Sequence, residues 1–338
     1  MVLGRVVTSN SLRGGEARRG DHRQLNQAEL GRREDMDKAI ALALAASVCT
    51  ATSSVCQRLG AKSSEGTGLD IWLLFRLARR PIWLLGIASM ILGFVFQLSA
   101  LHYGALALVQ PILSLELLFV FGYMAVLGSR TVQRRDWLAA AAMSAGLGLF
   151  LFAASPSGGR SHAPASMWIL AGLVTLAVVL AGLALAFGLG RRPSASPSPR
   201  AAILGAATGV AWGFVAAVIK EFSSHLDDGP AAIFTNWSVY VLIGAGAASL
   251  LLASHALAAG PLAASQPGFT ILDPLAASLL GLFLFGEHFQ AATADLALEA
   301  LALALLVAGV TALSHSHLIV GEDEMQPTGE ASWSGAGA

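Results

Sequence analysis

Apolar positions dominate the chain from residue 38 to residue 314, and they come in long runs separated by short polar or Gly/Pro-containing turns. A bilayer core of about 30 Å takes about 20 helical residues to cross. Runs near that length are read at nine places: 38–58, 81–102, 104–127, 136–154, 166–188, 201–221, 234–255, 261–285 and 293–314. The pattern predicts an all-α polytopic membrane protein with about nine transmembrane helices. One further stretch, 69–80 (LDIWLLFRLARR), mixes large apolar residues with Arg76, Arg79 and Arg80 and is too short to span. It reads as an interfacial helix or as the stub of a tenth span.

Within these runs a twelve-residue pattern recurs. Residues 100–111 read ALHYGALALVQP and residues 256–267 read ALAAGPLAASQP, with Gly104 and Gly260, Gln110 and Gln266, and Pro111 and Pro267 at one common offset. Internal duplication is the simplest explanation. A shift of about 156 residues lays the second span on the seventh, the third on the eighth and the fourth on the ninth, while the first falls near the sixth. The layout is four plus one plus four. Because five spans separate the starts of the two copies, the second enters the membrane from the opposite side, which predicts an inverted repeat with its pseudo-two-fold axis in the membrane plane.

Composition agrees with a bilayer setting: 55% of residues are hydrophobic and 12% charged, with mean hydropathy +0.66. A net charge of zero and the lack of a basic stripe with interleaved aromatics exclude a nucleic-acid partner. Charge then orients the chain. Loops 1–2, 3–4, 5–6 and 7–8 hold 11 Lys and Arg, whereas the opposite loops hold only Arg160 and Lys220. The positive-inside rule puts the first set in the cytoplasm, the N-terminus outside and the C-terminus inside. Residues 1–38 carry eight further positive charges, which would nearly cancel that bias; a start at Met36 leaves only Lys38. The expected organisation is therefore 1–35 as a disordered tail or a wrongly assigned start, 37–155 as the first repeat and 156–199 as a linking span and loop. The second, inverted repeat follows at 200–316, and 317–338 form a disordered acidic tail.

Two carboxylates stand deep in apolar segments: Glu116 (ILSLELLF) and Asp273 (FTILDPLA), each about twelve residues into its span. A charge at a helix centre costs about 2.5–3.5 kcal/mol on insertion scales, so each needs a reason to be there. One reading is a proton or cation site between the halves; the other is a protonated carboxyl hydrogen-bonded to a neighbouring helix. Their spacing from the repeated Gln-Pro differs by one residue, so the two positions are adjacent rather than equivalent. Pro111, Pro267 and Pro274 each remove a backbone donor and are expected to break their helices. Gln110 and Gln266, beside those breaks, either satisfy freed carbonyls or bind substrate. Gly205, Gly209 and Gly213 form a small-residue stripe for helix packing. Lys220 and Glu221, with Gln57 and Arg58 as their counterparts at the end of a span holding Thr50, Thr52, Ser53 and Ser54, are either interface residues or gating groups. Asn236 and Trp237 read as interface anchors. His102, His255, His315 and His317 have no HxxxH or Cys-rich partner, so no transition-metal site is expected. No enzyme motif occurs, and neither catalysis nor a cofactor is expected.

The segment RRPIWLLGIASMILGFVFQLSALHYGALALVQPILSLELLFVFGYMAVLGSR, followed by RRDWLAAAAMSAGLGLFLF, resembles the drug/metabolite transporter superfamily. The nine spans, QRLGAK and GALALVQPILSLE are most similar to its NIPA-like magnesium transporter branch and to actinobacterial relatives. The second half, GPLAASQPGFTILDPLAASLLGLFLFGEH, resembles an EamA-type repeat, with the Gly-Glu pair of that pattern at Gly286 and Glu287. The chain departs from the commonest ten-span layout by one span and has Gly128 and Ser129 where the first repeat would carry Gly-Glu. The resemblance implies a multi-pass carrier in the plasma membrane that moves a small solute or cation by alternating access. Its partners are the lipid bilayer and that substrate, and a homodimer is left open. Were the cargo Mg²⁺, Glu116 and Asp273 would be its carboxylates. A non-transporting membrane scaffold is the alternative from another class.

Overall fold

The computed structural model of the chain describes residues 27, 29–56, 79–127, 133–154, 159–190, 197–229, 234–259, 262–288 and 295–314. Among them every regular element is a helix: α1 (Glu29–Cys56), α2 (Pro81–Tyr103), α3 (Leu106–Leu113), α4 (Glu116–Leu127), α5 (Arg134–Ala154), α6 (Ala165–Gly190) and α7 (Pro197–Ser223). A short 3₁₀ turn (Leu226–Asp228) precedes α8 (Trp237–Ala258) and α9 (Leu262–Leu280); a π-helical turn (Gly281–Phe285) then leads towards α10 (Asp295–Ser314). Seven stretches of the described residues are long and apolar enough to cross a membrane: Glu29–Cys56, Pro81–Tyr103, Leu106–Val126, Ala165–Gly188, Pro199–Ser223, Trp237–Leu257 and Gly268–Phe285. Residues Ala300–Ala312 form a shorter apolar helix. The outward faces are apolar as well: α6 alone exposes Ile169, Leu173, Val174, Leu180, Leu185 and Phe187. Such surface is stable in lipid and not in water. The protein is an all-helical, membrane-embedded chain.

Local chemistry sets several boundaries. Pro81 occupies the first turn of α2, where its missing N–H costs nothing. The Asn236 side chain accepts from the Ser238 N–H at 2.9 Å and caps α8. Gly286 ends the π-helical turn in the left-handed conformation at φ 63°, which a residue with a Cβ adopts only with strain.

Three sequence expectations are corrected. Residues 29–35, expected as part of a disordered tail or of a wrongly assigned start, are not disordered: they are helical and continue into α1, because no Gly or Pro interrupts the run from Arg32 to Cys56. The span expected at 104–127 is one apolar stretch, Leu106–Val126, but its helix does not break at Pro111 as expected. Its break lies at Ser114–Leu115, one turn after Pro111, where the ladder tightens: Leu115 N–H donates to the Ile112 carbonyl at 3.0 Å and the Ser114 hydroxyl to the Pro111 carbonyl at 2.6 Å. Pro267 and Pro274 do not break α9, which runs continuously from Leu262 to Leu280. A proline removes one hydrogen bond, and the remaining ladder plus packing against α7 hold the helix. The interfacial segment 69–78, Gln57 and Arg58, Gly128 and Ser129, His315 and His317, and the tail from 317 lie outside the described residues.

Two helix pairs form the tightest contacts. On α7, a Cβ at Gly213 would lie 2.8 Å from the Asp273 carbonyl and 2.7 Å from the Ala276 Cβ. A Cβ at Gly209 would lie 3.0 Å from that of Leu272. In return, a Cβ at Gly268 on α9 would come within 2.6 Å of the Gly205 backbone. Close backbone approach here requires glycine on both helices. In the other pair, Gly146 of α5 meets Leu306 of α10, and Gly309 of α10 meets Met143 of α5. The main core joins both pairs through Leu101, Leu106, Val109, Ile112, Phe121 and Phe285.

Candidate functional site

Two polar clusters lie inside this apolar bundle. The first contains the two deep carboxylates. Glu116 opens α4 just after the break, and the Ser54 hydroxyl from α1 donates to its Oε1 at 2.8 Å. Thr50, one turn earlier on α1, lies against the same carboxylate. Asp273 is set from the opposite side by the α7 glycines, whose contacts fix its backbone. Its carboxylate lies within electrostatic range of Glu116 on a different helix. Asp273 Oδ1 is buried and has no hydrogen-bond partner among the described residues; Gln110 Nε2, on a side chain 3% exposed, is in the same condition. A buried polar atom without a partner costs about 1–3 kcal/mol, so both atoms favour a hydrogen-bonding ligand or water beside them. The side chains of Gln266 and Pro267 lie outside the described residues.

The second cluster sits at one end of the bundle, where the α2–α3 turn, the segment before α6, the end of α7 and the Gly286–Glu287 turn meet. Glu287 is buried. Its Oε1 accepts from the Leu106 N–H at 2.6 Å and its Oε2 from the Ala107 N–H at 2.9 Å. These are the first free donors of α3, whose N-cap, Ala105, has no side chain able to satisfy them. Glu287 therefore caps a helix 180 residues away in sequence. Lys220, also buried, pairs with it at 3.2 Å and donates to the Gly104 carbonyl at 2.7 Å. The ammonium also lies 5.3 Å from the Phe285 ring centroid. Gly281 is needed beneath this pair, since a Cβ there would collide with the Glu287 carboxylate. The segment before α6 closes over the turn, with the Arg160 N–H donating to the Phe285 carbonyl at 2.7 Å.

Sequence reading singled out Glu116, Asp273, Gln110 and Lys220, and the structure sets the first two, from different halves of the chain, within electrostatic range of each other. Glu287 was legible only as part of a Gly-Glu pattern, because its partners are backbone amides that no motif displays. Glu221 does not join Lys220 in its ion pair. It points the other way, towards His162 and His225. A cavity of about 320 Å³ lies between α3, α9 and α10, bordered by Pro111, Ser114, Thr270, Pro274 and Ser278. Neither deep carboxylate lines it, so the carboxylates and this cavity are on different faces of α9.

Comparison with known proteins finds an uncharacterized protein of Corynebacterium glutamicum, 28% identical over 280 residues that span 82% of this chain and 95% of that protein. No family model matches the chain, and no solved structure matches it.

Proposed function

We propose that this protein is a transporter of the drug/metabolite type, with nine spans in an inverted four-plus-one-plus-four repeat, that carries a small solute or cation across the plasma membrane by alternating access. The observation that carries the reading is the electrostatic proximity of Glu116 and Asp273, one from each half, with a buried Asp273 oxygen that has no hydrogen-bond partner among the described residues. Paired ionisable groups at the meeting of two repeats fit a coupling or binding site. The gathering of the 2–3, 4–5, 6–7 and 8–9 connections at one end supports the span parity. The lysine and arginine count then assigns that end to the outside, with the N-terminus there and the C-terminus in the cytoplasm. In this reading Lys220 and Glu287 hold the outer end closed while the carboxylates wait below.

The carboxylate pair also favours a second cargo, Mg²⁺, which keeps part of its water shell and touches one or two carboxylates. Reconstitution in vesicles separates the readings. A proton-coupled solute carrier shows solute uptake that needs a proton gradient, whereas a magnesium carrier shows Mg²⁺ flux without one. In either case Glu116→Gln and Asp273→Asn are each expected to lower initial flux at least tenfold while the protein still elutes as a folded species. No flux of any cargo through the folded wild-type chain would instead indicate a non-transporting scaffold.

A further inference from the structure

The outer end holds a third group of side chains that neither the carboxylate pair nor the Lys220–Glu287 bridge uses. His162 precedes α6, Glu221 lies in the last turn of α7 and His225 follows it, and the ligand atoms of all three lie within 4.8 Å of one another. His162 Nδ1 is 3.4 Å from Glu221 Oε1, His225 Nε2 is 3.9 Å from the same oxygen, and the two rings tilt together with centroids 4.5 Å apart. We propose that His162, Glu221 and His225 form a binding site for a divalent transition metal of the Zn²⁺ class.

The surroundings are those of a ligand set. Glu221 is buried, and its second oxygen accepts from the Ala163 N–H at 3.3 Å, which fixes the carboxylate plane. His225 turns its Nδ1 to Asp228 Oδ2 at 3.0 Å. With that nitrogen protonated, Nε2 presents its lone pair towards Glu221, an arrangement in which a carboxylate orients a metal-binding histidine. His162 Nδ1 meets the Ser224 hydroxyl at 3.1 Å, and that hydroxyl donates to the Glu221 carbonyl at 2.6 Å. Two imidazoles and one carboxylate, with a fourth position open to water, make a tetrahedral set, whose ligand atoms stand about 3.3 Å apart. The 3.4 Å separation already fits, the 3.9 Å one needs a shift of about half an ångström, and the half-exposed His162 side chain has room to adjust towards His225. Mg²⁺, which prefers oxygen ligands, is not the ion this set selects.

A bound ion would fasten the segment before α6, which already covers the Gly286–Glu287 turn, to the end of α7 beside Lys220. Any effect of that clamp on flux rests on the transport reading; the binding itself does not. The test is isothermal titration of ZnCl₂ into the untagged, chelator-stripped full chain in detergent. One site per chain is expected, with affinity lowered at least tenfold by His162→Ala, by His225→Ala and by Glu221→Gln, and unchanged by His255→Ala. MgCl₂ is expected to give no heat that these variants alter. His162 is half exposed, so its replacement leaves the fold intact. The proposal is overturned if the wild-type chain binds no zinc, or if the His162→Ala/His225→Ala double variant binds it as tightly as the wild type. Zinc binding with no flux of any cargo would sink the transport reading and leave this site standing.

Discussion

At the scale of single residues, the most consequential group is Glu287, because one buried carboxylate both caps α3 and neutralises Lys220. Removing one partner of a buried pair strands the other charge, at about 3–5 kcal/mol. Glu287→Gln keeps the shape but loses the charge. It is expected to lower thermal stability in detergent strongly, and more than Lys220→Met, which leaves Glu287 its two backbone donors. The double variant should be less unstable than the sum of the two, since each single change exposes the other's cost. Additive losses in a melting series would argue that the pair is not one unit. Tyr123→Phe is a useful contrast. It removes only a 2.9 Å hydroxyl contact with Thr52 and should cost about 1 kcal/mol or less.

At the scale of elements, the contact between α7 and α9 decides where Asp273 stands. Gly213→Leu would push a side chain into the Asp273 and Ala277 backbone, atoms that cannot yield, so α9 must shift. Overpacking of this kind costs about 1–3 kcal/mol and moves the carboxylate as well. The variant is expected to melt earlier and to lose flux even where it folds. Gly246→Ala on α8, where a Cβ would meet nothing within 4 Å, should be neutral or slightly stabilising in the same melt. The stripe Gly205, Gly209, Gly213 was legible in the sequence because four-residue spacing fixes a face; that its partner is the helix carrying Asp273 was not. Helix positions were legible too, since long apolar runs state them directly. The breaks were misplaced because a proline announces a missing donor, whereas the actual interruption depends on whether neighbouring carbonyls find other partners, as they do at Ser114. His162 and His225 were missed for a related reason. They lie 63 residues apart in loops, without periodicity, and only the fold brings them to Glu221.

For the molecule as a whole, the arrangement has a polarity that sequence symmetry hides. One end is closed by Lys220, Glu287, Arg160 and the turn at Gly104, all contributed by different connections, while the two carboxylates stand apart from it, Asp273 Oδ1 having no hydrogen-bond partner among the described residues. Alternating access requires that this end part, and α2 and α7 meet there through the His102 Nδ1 and the Ser223 carbonyl, 3.0 Å apart. Tying the two helices together should therefore stop a carrier and leave a scaffold untouched. We expect a chain bearing His102→Cys and Ser223→Cys, with Cys49 and Cys56 replaced by alanine, to lose at least nine-tenths of its vesicle flux when joined by a short bis-methanethiosulfonate cross-linker. Flux should return on reduction. Each single-cysteine chain should be indifferent to the reagent, which separates a lock from simple modification. Undiminished flux in the cross-linked chain would mean that this end stays shut throughout the cycle, and would move the opening to the cavity beside Pro111 and Pro274, on the far face of α9.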